Sequence, residues 1–194
     1  MYNPWGEDLK ESAKALLTIK ESVLEVLFNG KIYNIESSKN EILMLIDQHS
    51  GIDYIVDDGE GLVGVATRVQ WGGNYRTFTI RESRHTGSKT EYEKRKHALR
   101  LIHKDSSYIY PALTMQAYFD NKEDNNLLSL AITRTRDLYD FIEKYYDDST
   151  RVRRNSSDND FIYVRWRDLE KELYGEVYYN GTMHVQKLMG WGDH

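Results

Sequence analysis

An aspartate inside an apolar, strand-like run is the first residue with a chemical role to explain. Asp53 stands between Ile52 and Tyr54, and a buried carboxylate is costly unless it is paired or holds a metal ion. Arg68 and Gln70 occupy alternate positions of a second such run. Carboxylate oxygens are ligands of Mg²⁺, and the arginine fork matches a phosphate. These residues predict either a metal-dependent phosphodiesterase site or a cross-strand ion pair between Asp53 and Arg68.

A β-hairpin is predicted to bring these side chains together. The run "GIDYIV" is typical of a strand, "DDGEG" of a turn, and "LVGVATRVQW" of a second strand. Because side chains alternate along a strand, Ala66, Arg68 and Gln70 share one face, and the register decides which lies across from Asp53. The turn also spells G-x-G-x-x-G, but a valine-rich strand follows it where a dinucleotide site requires a helix. The glycines are therefore interpreted as a hairpin turn.

This arrangement resembles the PD-(D/E)XK nuclease superfamily over about residues 20–120, because an Asp on one strand is followed by a strand with a polar triplet. The resemblance implies a restriction-endonuclease-like αβββαβ core and Mg²⁺-dependent hydrolysis of phosphodiesters. It implies that Asp53 binds the metal ion and that Arg68 stands at the family's lysine position, with Gln70 orienting water or metal. It also implies a metal ligand on the preceding helix, for which Glu25 is the candidate.

The second carboxylate of the family's motif is missing from its expected place. The acid-x-Lys positions read Ala66-Thr67-Arg68 in this chain, and an arginine is better suited to binding a phosphate than to acting as a base. Either another acid supplies the carboxylate, or Gln70 supplies a neutral oxygen, or metal catalysis is lost. Besides Glu25, the candidates for the helix acid are Glu21 and Glu41, and the candidates for the missing second acid are Glu60 and Glu82.

A basic segment follows the hairpin. Between residues 81 and 104, eight Lys and Arg stand against three Glu, so this segment carries +5 and the remaining chain carries −10. Local basic surface binds nucleic-acid phosphates, and we expect DNA rather than RNA. The residues predicted to contact the backbone are Arg81, Arg84, Lys89, Lys94, Arg95 and Arg100. The alternative is an ordinary solvated helix face.

The order of predicted elements favours an α+β fold with a mixed β-sheet and flanking helices. We expect one domain over residues 1–194, with the nuclease-like core at about 20–147 and a C-terminal extension at about 148–194. Helical spacing of apolar residues predicts a helix over 7–28. The third predicted strand, "YRTFTIRES", is expected to continue the same sheet.

Two further local predictions concern a helix start and a loop. Ser38 and Glu41 match a capping box, which predicts that a second helix begins there. Residues 148–160 read "DSTRVRRNSSDND", a polar stretch of mixed charge. Such a composition is typical of an exposed loop or a mobile lid.

Composition narrows the classes of protein that the chain can belong to. It has no cysteine, no apolar run near the roughly 18 residues of a membrane span, and no signal-like N-terminus. A cytoplasmic, soluble protein without membrane contact is therefore expected. The main alternative to a nuclease is a non-enzymatic phage or mobile-element accessory protein or inhibitor, which binds a nucleic-acid-processing complex through protein contacts. A protein that binds a small nucleotide through the same basic loop is a third possibility.

Overall fold

Helices and strands alternate along the residues that the computed structural model describes, which are 4–28, 30–35, 38, 40–57, 59, 61–82, 90–101, 110–155, 160–172 and 178–179. The helices are α1 (Pro4–Ile19), α2 (Glu25–Leu27), α3 (Glu41–Ser50), α4 (Glu91–Leu101), α5 (Thr135–Lys144) and α6 (Trp166–Glu172), with a π-helical turn at Lys20–Leu24. The strands are β1 (Lys31–Asn34), β2 (Tyr54–Asp57), β3 (Leu62–Trp71), β4 (Thr77–Arg81), β5 (Leu113–Phe119), β6 (Leu127–Arg134), β7 (Val152–Arg154), β8 (Phe161–Arg165) and β9 (Tyr178–Tyr179).

Six strands form the main sheet in the order β1-β2-β3-β5-β6-β9. The first three are antiparallel neighbours, β5 runs parallel to β3, and the remaining pairs are antiparallel. A parallel neighbour requires a crossover connection, and here β4 and α4 lie between β3 and β5 in the chain. The protein is a single α+β domain with a mixed sheet, as the sequence predicts.

The prediction that the third strand continues this sheet is wrong. β4 pairs with β8, and β8 pairs with β7, in a separate antiparallel sheet. The edge of β3 is already occupied by β5, so β4 packs over the main sheet and is held by side chains. The backbone N–H of Thr79 donates to Oε1 of Gln116 at 3.2 Å, and the hydroxyls of Thr77 and Tyr118 lie 2.8 Å apart.

The main sheet separates two hydrophobic cores because side chains alternate along its strands. On one face, α1 and the π-helical turn pack against Val65, Met115 and Ile132. On the other face, the second sheet, α5 and α6 pack around Tyr118 and Ala131. All seven residues of β5 are buried, which is expected of a strand that is covered on both faces.

The polar stretch at 148–160 was predicted to be an exposed loop or lid, and this is wrong for its first half. It contains β7, which pairs with β8, and Val152 is only 1% exposed within the second core. A single apolar side chain thus anchors a segment whose overall composition is polar. Residues 156–159 lie outside the described part of the chain.

The helix starts agree with prediction to within three residues. The predicted helix at 7–28 corresponds to α1, the π-helical turn and α2. The second helix begins at Glu41, but its cap is Asn40, whose side chain accepts hydrogen bonds from Ile42 and Leu43. Ser38 instead accepts a bond from the backbone of Asn40.

Candidate anion-binding site

The β2–β3 hairpin holds Asp53 at the edge of a small cleft. Tyr54 pairs with Val65 in the antiparallel register, so Asp53 lies next to Ala66. The backbone N–H of Asp53 donates to the carbonyl of Val65 at 2.9 Å, and the backbone N–H of Thr67 donates to the carboxylate of Asp53. One carboxylate oxygen therefore already accepts a backbone hydrogen bond.

Arg68 lies on the same face of β3 as Ala66. It pairs with an acid that is not among the candidates predicted from the sequence. Its Nη1 lies 3.3 Å from Oε2 of Glu91 in the first turn of α4. Its guanidinium carbon also lies 4.8 Å from the ring centroid of Phe161, within cation–π range. The acid that forms an ion pair with Arg68 thus comes from the crossover helix rather than from the hairpin.

Thr90 determines where α4 begins and so where Glu91 lies. Glu93 N–H donates to the hydroxyl of Thr90 at 3.4 Å, and Thr90 N–H donates to the carboxylate of Glu93 at 2.9 Å. This reciprocal pair is a capping box. The Thr90 hydroxyl also donates to the carbonyl of Glu82 at 2.9 Å, which ties the helix start to the end of β4. The pattern Thr-x-x-Glu at 90–93 was the sequence signal for this position.

Arg95, one turn after Glu91, is buried with 7% of its surface exposed. Its Nη1 lies 2.6 Å from Oε1 of Glu91, and its Nη2 donates to the carbonyl of Gly51 at 3.3 Å. Burial by itself lowers the pKa of Arg95, but the charge of Glu91, aided by Tyr139 and Asp53, raises it above the ordinary value. Arg95 is therefore a permanent cation inside the protein.

Gly51 allows α3 to end beside this arginine. Its φ is +63°, the left-handed conformation that closes a helix and that other residues rarely adopt. A Cβ at this position would also lie 3.3 Å from Nη2 of Arg95. Both the turn and the close approach of the guanidinium require a glycine here.

The residues described above line one cavity of about 210 Å³ between α3, the hairpin and α4. Its walls carry three cations and two carboxylates among the described residues. The lining residues are Gln48, Ser50, Gly51, Asp53, Thr67, Arg68, Glu91, Lys94 and Arg95. The volume is large enough for a phosphate group and several waters.

A further arginine increases the positive potential beside this cavity. Burial lowers the pKa of Arg68, Glu91 opposes that shift, and the charges of Arg81 and Arg95 lower it further. The guanidinium carbon of Arg81 lies 5.4 Å from the ring of Phe161, whose ring also contacts Arg68. Three neighbouring guanidiniums repel one another, and a bound anion would relieve that repulsion.

The same donor set does not fit Mg²⁺. Both oxygens of Glu91 are within ion-pair distance of arginines, and one oxygen of Asp53 accepts the Thr67 N–H. A hard dication requires several free oxygens and would stand against two guanidiniums. In the part of the chain that the structure describes, no group of three or more His, Asp or Glu side chains could hold a metal ion.

The remaining predicted metal and catalytic residues lie away from this cavity or outside the described residues. Glu25 is exposed on α2, 2.5 Å from Nζ of Lys20. Gln70 is two positions beyond Arg68, beside Tyr118 of β5, and is not among the described residues that line the cavity. Glu82 accepts a hydrogen bond from the hydroxyl of Tyr146.

Apart from Arg81, which lies beside the cavity, the predicted phosphate-contacting residues divide into three groups. Lys94 and Arg95 line the cavity, the latter from inside the protein. Arg100 is exposed on α4 and lies 3.6 Å from the carboxylate of Glu143. The alternative acid Glu60 and the loop residues Arg84 and Lys89 are outside the described residues.

Comparisons of the chain with protein-family models, with curated proteins and with solved structures find no match. Among the helices of the described residues, none combines the length and the apolar character needed to cross a bilayer.

Proposed function

We propose that the protein binds nucleic acid, with a backbone phosphate held in the cavity between α3, the hairpin and α4. The observation that carries the proposal is the convergence of Arg68, Lys94 and Arg95 on a cavity of about 210 Å³. Guanidinium groups donate paired hydrogen bonds that match phosphate oxygens. Asp53 and Glu91 orient these donors and are not the primary ligands of a metal ion.

The order of elements supports a restriction-endonuclease-like core as the origin of this site. Without its insertions, the chain runs α1–β1–β2–β3–α4–β5, which is the order αβββαβ. α3 is inserted between the first two strands, and β4 before the crossover helix. Further support comes from Asp53 before the second strand and Arg68 on the third, the strands on which the resemblance to the PD-(D/E)XK nucleases implies site residues.

The basic segment supports a nucleic acid rather than a free phosphate compound as the ligand, and we expect DNA. Arg100 lies on α4 beyond the cavity, and Arg81 lies at the end of β4. These cations can follow a phosphate backbone that leaves the cavity. A small anion in the cavity would not contact these cations.

Binding of labelled single-stranded DNA, duplex DNA and RNA to matched variants tests this proposal. Arg68→Ala is expected to weaken binding at least about tenfold, since a charge-assisted bond contributes about 1.5–3 kcal/mol. Arg68→Lys, which keeps the charge but loses the fork, should fall between Ala and wild type. Lys14→Ala is the control, because Lys14 is exposed on α1 and pairs with Glu11. Unchanged affinity for Arg68→Ala would contradict the proposal.

The same samples distinguish binding from metal-dependent cleavage. We expect the substrate to stay intact with Mg²⁺ or Mn²⁺ and its affinity to be insensitive to EDTA. Cleavage that needs the metal ion and is lost in Asp53→Asn would establish the nuclease instead, and the binding-only role would be wrong.

The alternative function, a non-enzymatic accessory protein, is favoured by the surface of α3. None of the ten residues of this fully described helix is buried, and Ile42, Met44 and Leu45 are 68%, 46% and 52% exposed. Exposed apolar clusters of this kind mark protein interfaces. A stable complex with a nucleic-acid-processing protein that Ile42→Ser and Leu45→Ser together abolish, with DNA binding unchanged, would support it.

A further inference from the structure

A second group of arginines and aromatic rings lies at the opposite end of β4 from the anion-binding cavity. Its cavity of about 370 Å³ is lined by Tyr75, Arg76, Arg165, Trp166 and Arg167. These five residues are called the Tyr75 platform. The sequence analysis did not single out any of them.

Tyr75 is exposed and yet held in place. The residue is 64% exposed. Its ring contacts the ring of Tyr118 edge to face at a centroid distance of 6.1 Å. A Cβ on Gly73 would lie 2.6 Å from the Tyr75 ring. The ring therefore lies against the backbone of Gly73, and any larger residue at that position would have to displace it.

The ring beneath Tyr75 is anchored in the second core. Tyr118 is fully buried, its hydroxyl donates to the carbonyl of Thr77 at 2.8 Å, and its ring lies 5.7 Å from that of Trp166. Trp166 is 3% exposed and lies 6.2 Å from the ring of Phe78. The aromatic contacts run from the surface into the core, so Tyr75 loses little conformational freedom when another ring stacks on it.

Positive charge surrounds this exposed ring. Arg76 adopts a positive φ of 51°, and its carbonyl accepts a hydrogen bond from the backbone of Trp166 at 3.0 Å, which fixes the loop beside α6. Arg167 is 68% exposed, and its Nε is 3.8 Å from Asp168. Asp168 also pairs with Arg165 at 2.5 Å. Arg165 and Arg167 therefore share one carboxylate, and Arg76 lies beside them in the lining of the cavity.

We propose that the Tyr75 platform stacks one base of a single-stranded nucleic acid, while Arg76 and Arg167 contact the adjoining phosphates. An aromatic face accepts any base, and arginines beside it bind the backbone, which is the chemistry of single-strand recognition. The proposal rests on the proposed function, because one strand would run from the anion-binding cavity to the platform. The five residues of β4 between them span roughly 17 Å.

The test compares Tyr75→Leu with Tyr75→Phe on a labelled thymidine oligomer of about 12 nucleotides, a length within the site sizes of single-strand-binding folds. Tyr75→Leu is expected to weaken binding about tenfold, and Tyr75→Phe to leave it within about twofold, because the phenyl ring still stacks. Gly73→Ala should weaken binding severalfold by displacing the ring while keeping all five platform residues. Tyr75→Leu binding as tightly as wild type would overturn the proposal.

An abasic oligomer of the same length separates stacking from phosphate contact. Wild type is expected to bind it about tenfold more weakly than the thymidine oligomer, and Tyr75→Leu should bind both strands equally. Equal affinity of wild type for the two strands would overturn the stacking assignment. Thymidine monophosphate that binds as tightly as the oligomer would overturn the assignment to a strand, in favour of a free nucleotide.

The outcome also separates this proposal from the proposed function. Arg68→Ala should weaken binding of the abasic and the thymidine oligomer by the same factor, because it removes a phosphate contact. If Arg68→Ala has no effect on binding while Tyr75→Leu weakens it, the proposal of phosphate binding in the cavity is wrong and the proposal of base stacking on the platform is supported. If Arg68→Ala weakens binding and Tyr75→Leu does not, the proposal of base stacking on the platform is wrong and the proposal of phosphate binding in the cavity is supported.

Discussion

At the scale of single residues, the acid that completes the site is Glu91. The nuclease pattern predicts the other carboxylates of the site on the hairpin and on the preceding helix. Glu91 comes from the crossover helix instead and pairs with Arg68 and Arg95. Each of its two oxygens lies within ion-pair distance of a guanidinium, so neither is free to bind a metal ion.

Arg95 shows the difference between a buried and a surface arginine on the same helix. Arg95→Leu should lower the free energy of unfolding by about 3 kcal/mol, because it leaves Glu91 and Asp53 without a buried cation. Arg100→Ala, whose side chain is 66% exposed, should change it by less than about 0.5 kcal/mol. Urea denaturation measures both. Equal stability of the two variants would mean that the network around Arg95 does not stabilise the fold.

At the scale of elements, β7 shows how little apolar sequence a strand needs. Its three residues read Val-Arg-Arg, and only Val152 is buried. It pairs with β8, which pairs with β4 on its other side. This pairing makes the segment a strand, although its composition is typical of a loop. Pairing with β8 therefore brings Val152, from an otherwise polar stretch, into the core.

Val152→Ala tests whether this segment is a strand of the core or a lid. We expect a loss of about 2 kcal/mol in the free energy of unfolding, from two buried methyl groups and the space they leave. Arg153→Ala, at the exposed neighbouring position, should have little effect. The measurement is thermal or urea unfolding, and a lid that opens freely would make the two variants indistinguishable.

At the scale of the whole molecule, charge is distributed unevenly around the two proposed contact sites. The net charge is −5, although the 81–104 segment carries +5. The cavity and the Tyr75 platform both gather arginines at opposite ends of β4. Binding is therefore expected to depend on these local cations and not on the total charge.

The salt dependence of binding measures how many phosphates those cations contact. With about three phosphates contacted, the logarithm of the affinity for a single strand should fall with the logarithm of salt concentration with a slope of about −2. Arg68→Ala should reduce the slope by about 0.7, and Lys14→Ala should leave it unchanged. An unchanged slope for Arg68→Ala would mean that its guanidinium does not contact a phosphate.

Local pattern determined much of the fold. The hairpin from Ile52 to Trp71, the strand of β5 and the helix of α5 each follow from alternating or helical spacing of apolar residues, since that spacing acts within one element. The pattern also brought Asp53 and Arg68 to the same region. The departure of β4 into a second sheet could not be predicted, because strand pairing depends on which edges remain open after β5 has joined β3.

The sequence by itself determined the α+β class, the hairpin with Asp53 and Arg68, and the basic segment. The tertiary structure decided that Glu91 and Arg95 reach the hairpin, which places two guanidiniums beside the carboxylates of the cleft. It also decided that Tyr75, Tyr118 and Trp166 form one aromatic cluster. The reason is physical: spacing within an element is local, whereas contacts between elements far apart in the chain depend on how their buried faces pack.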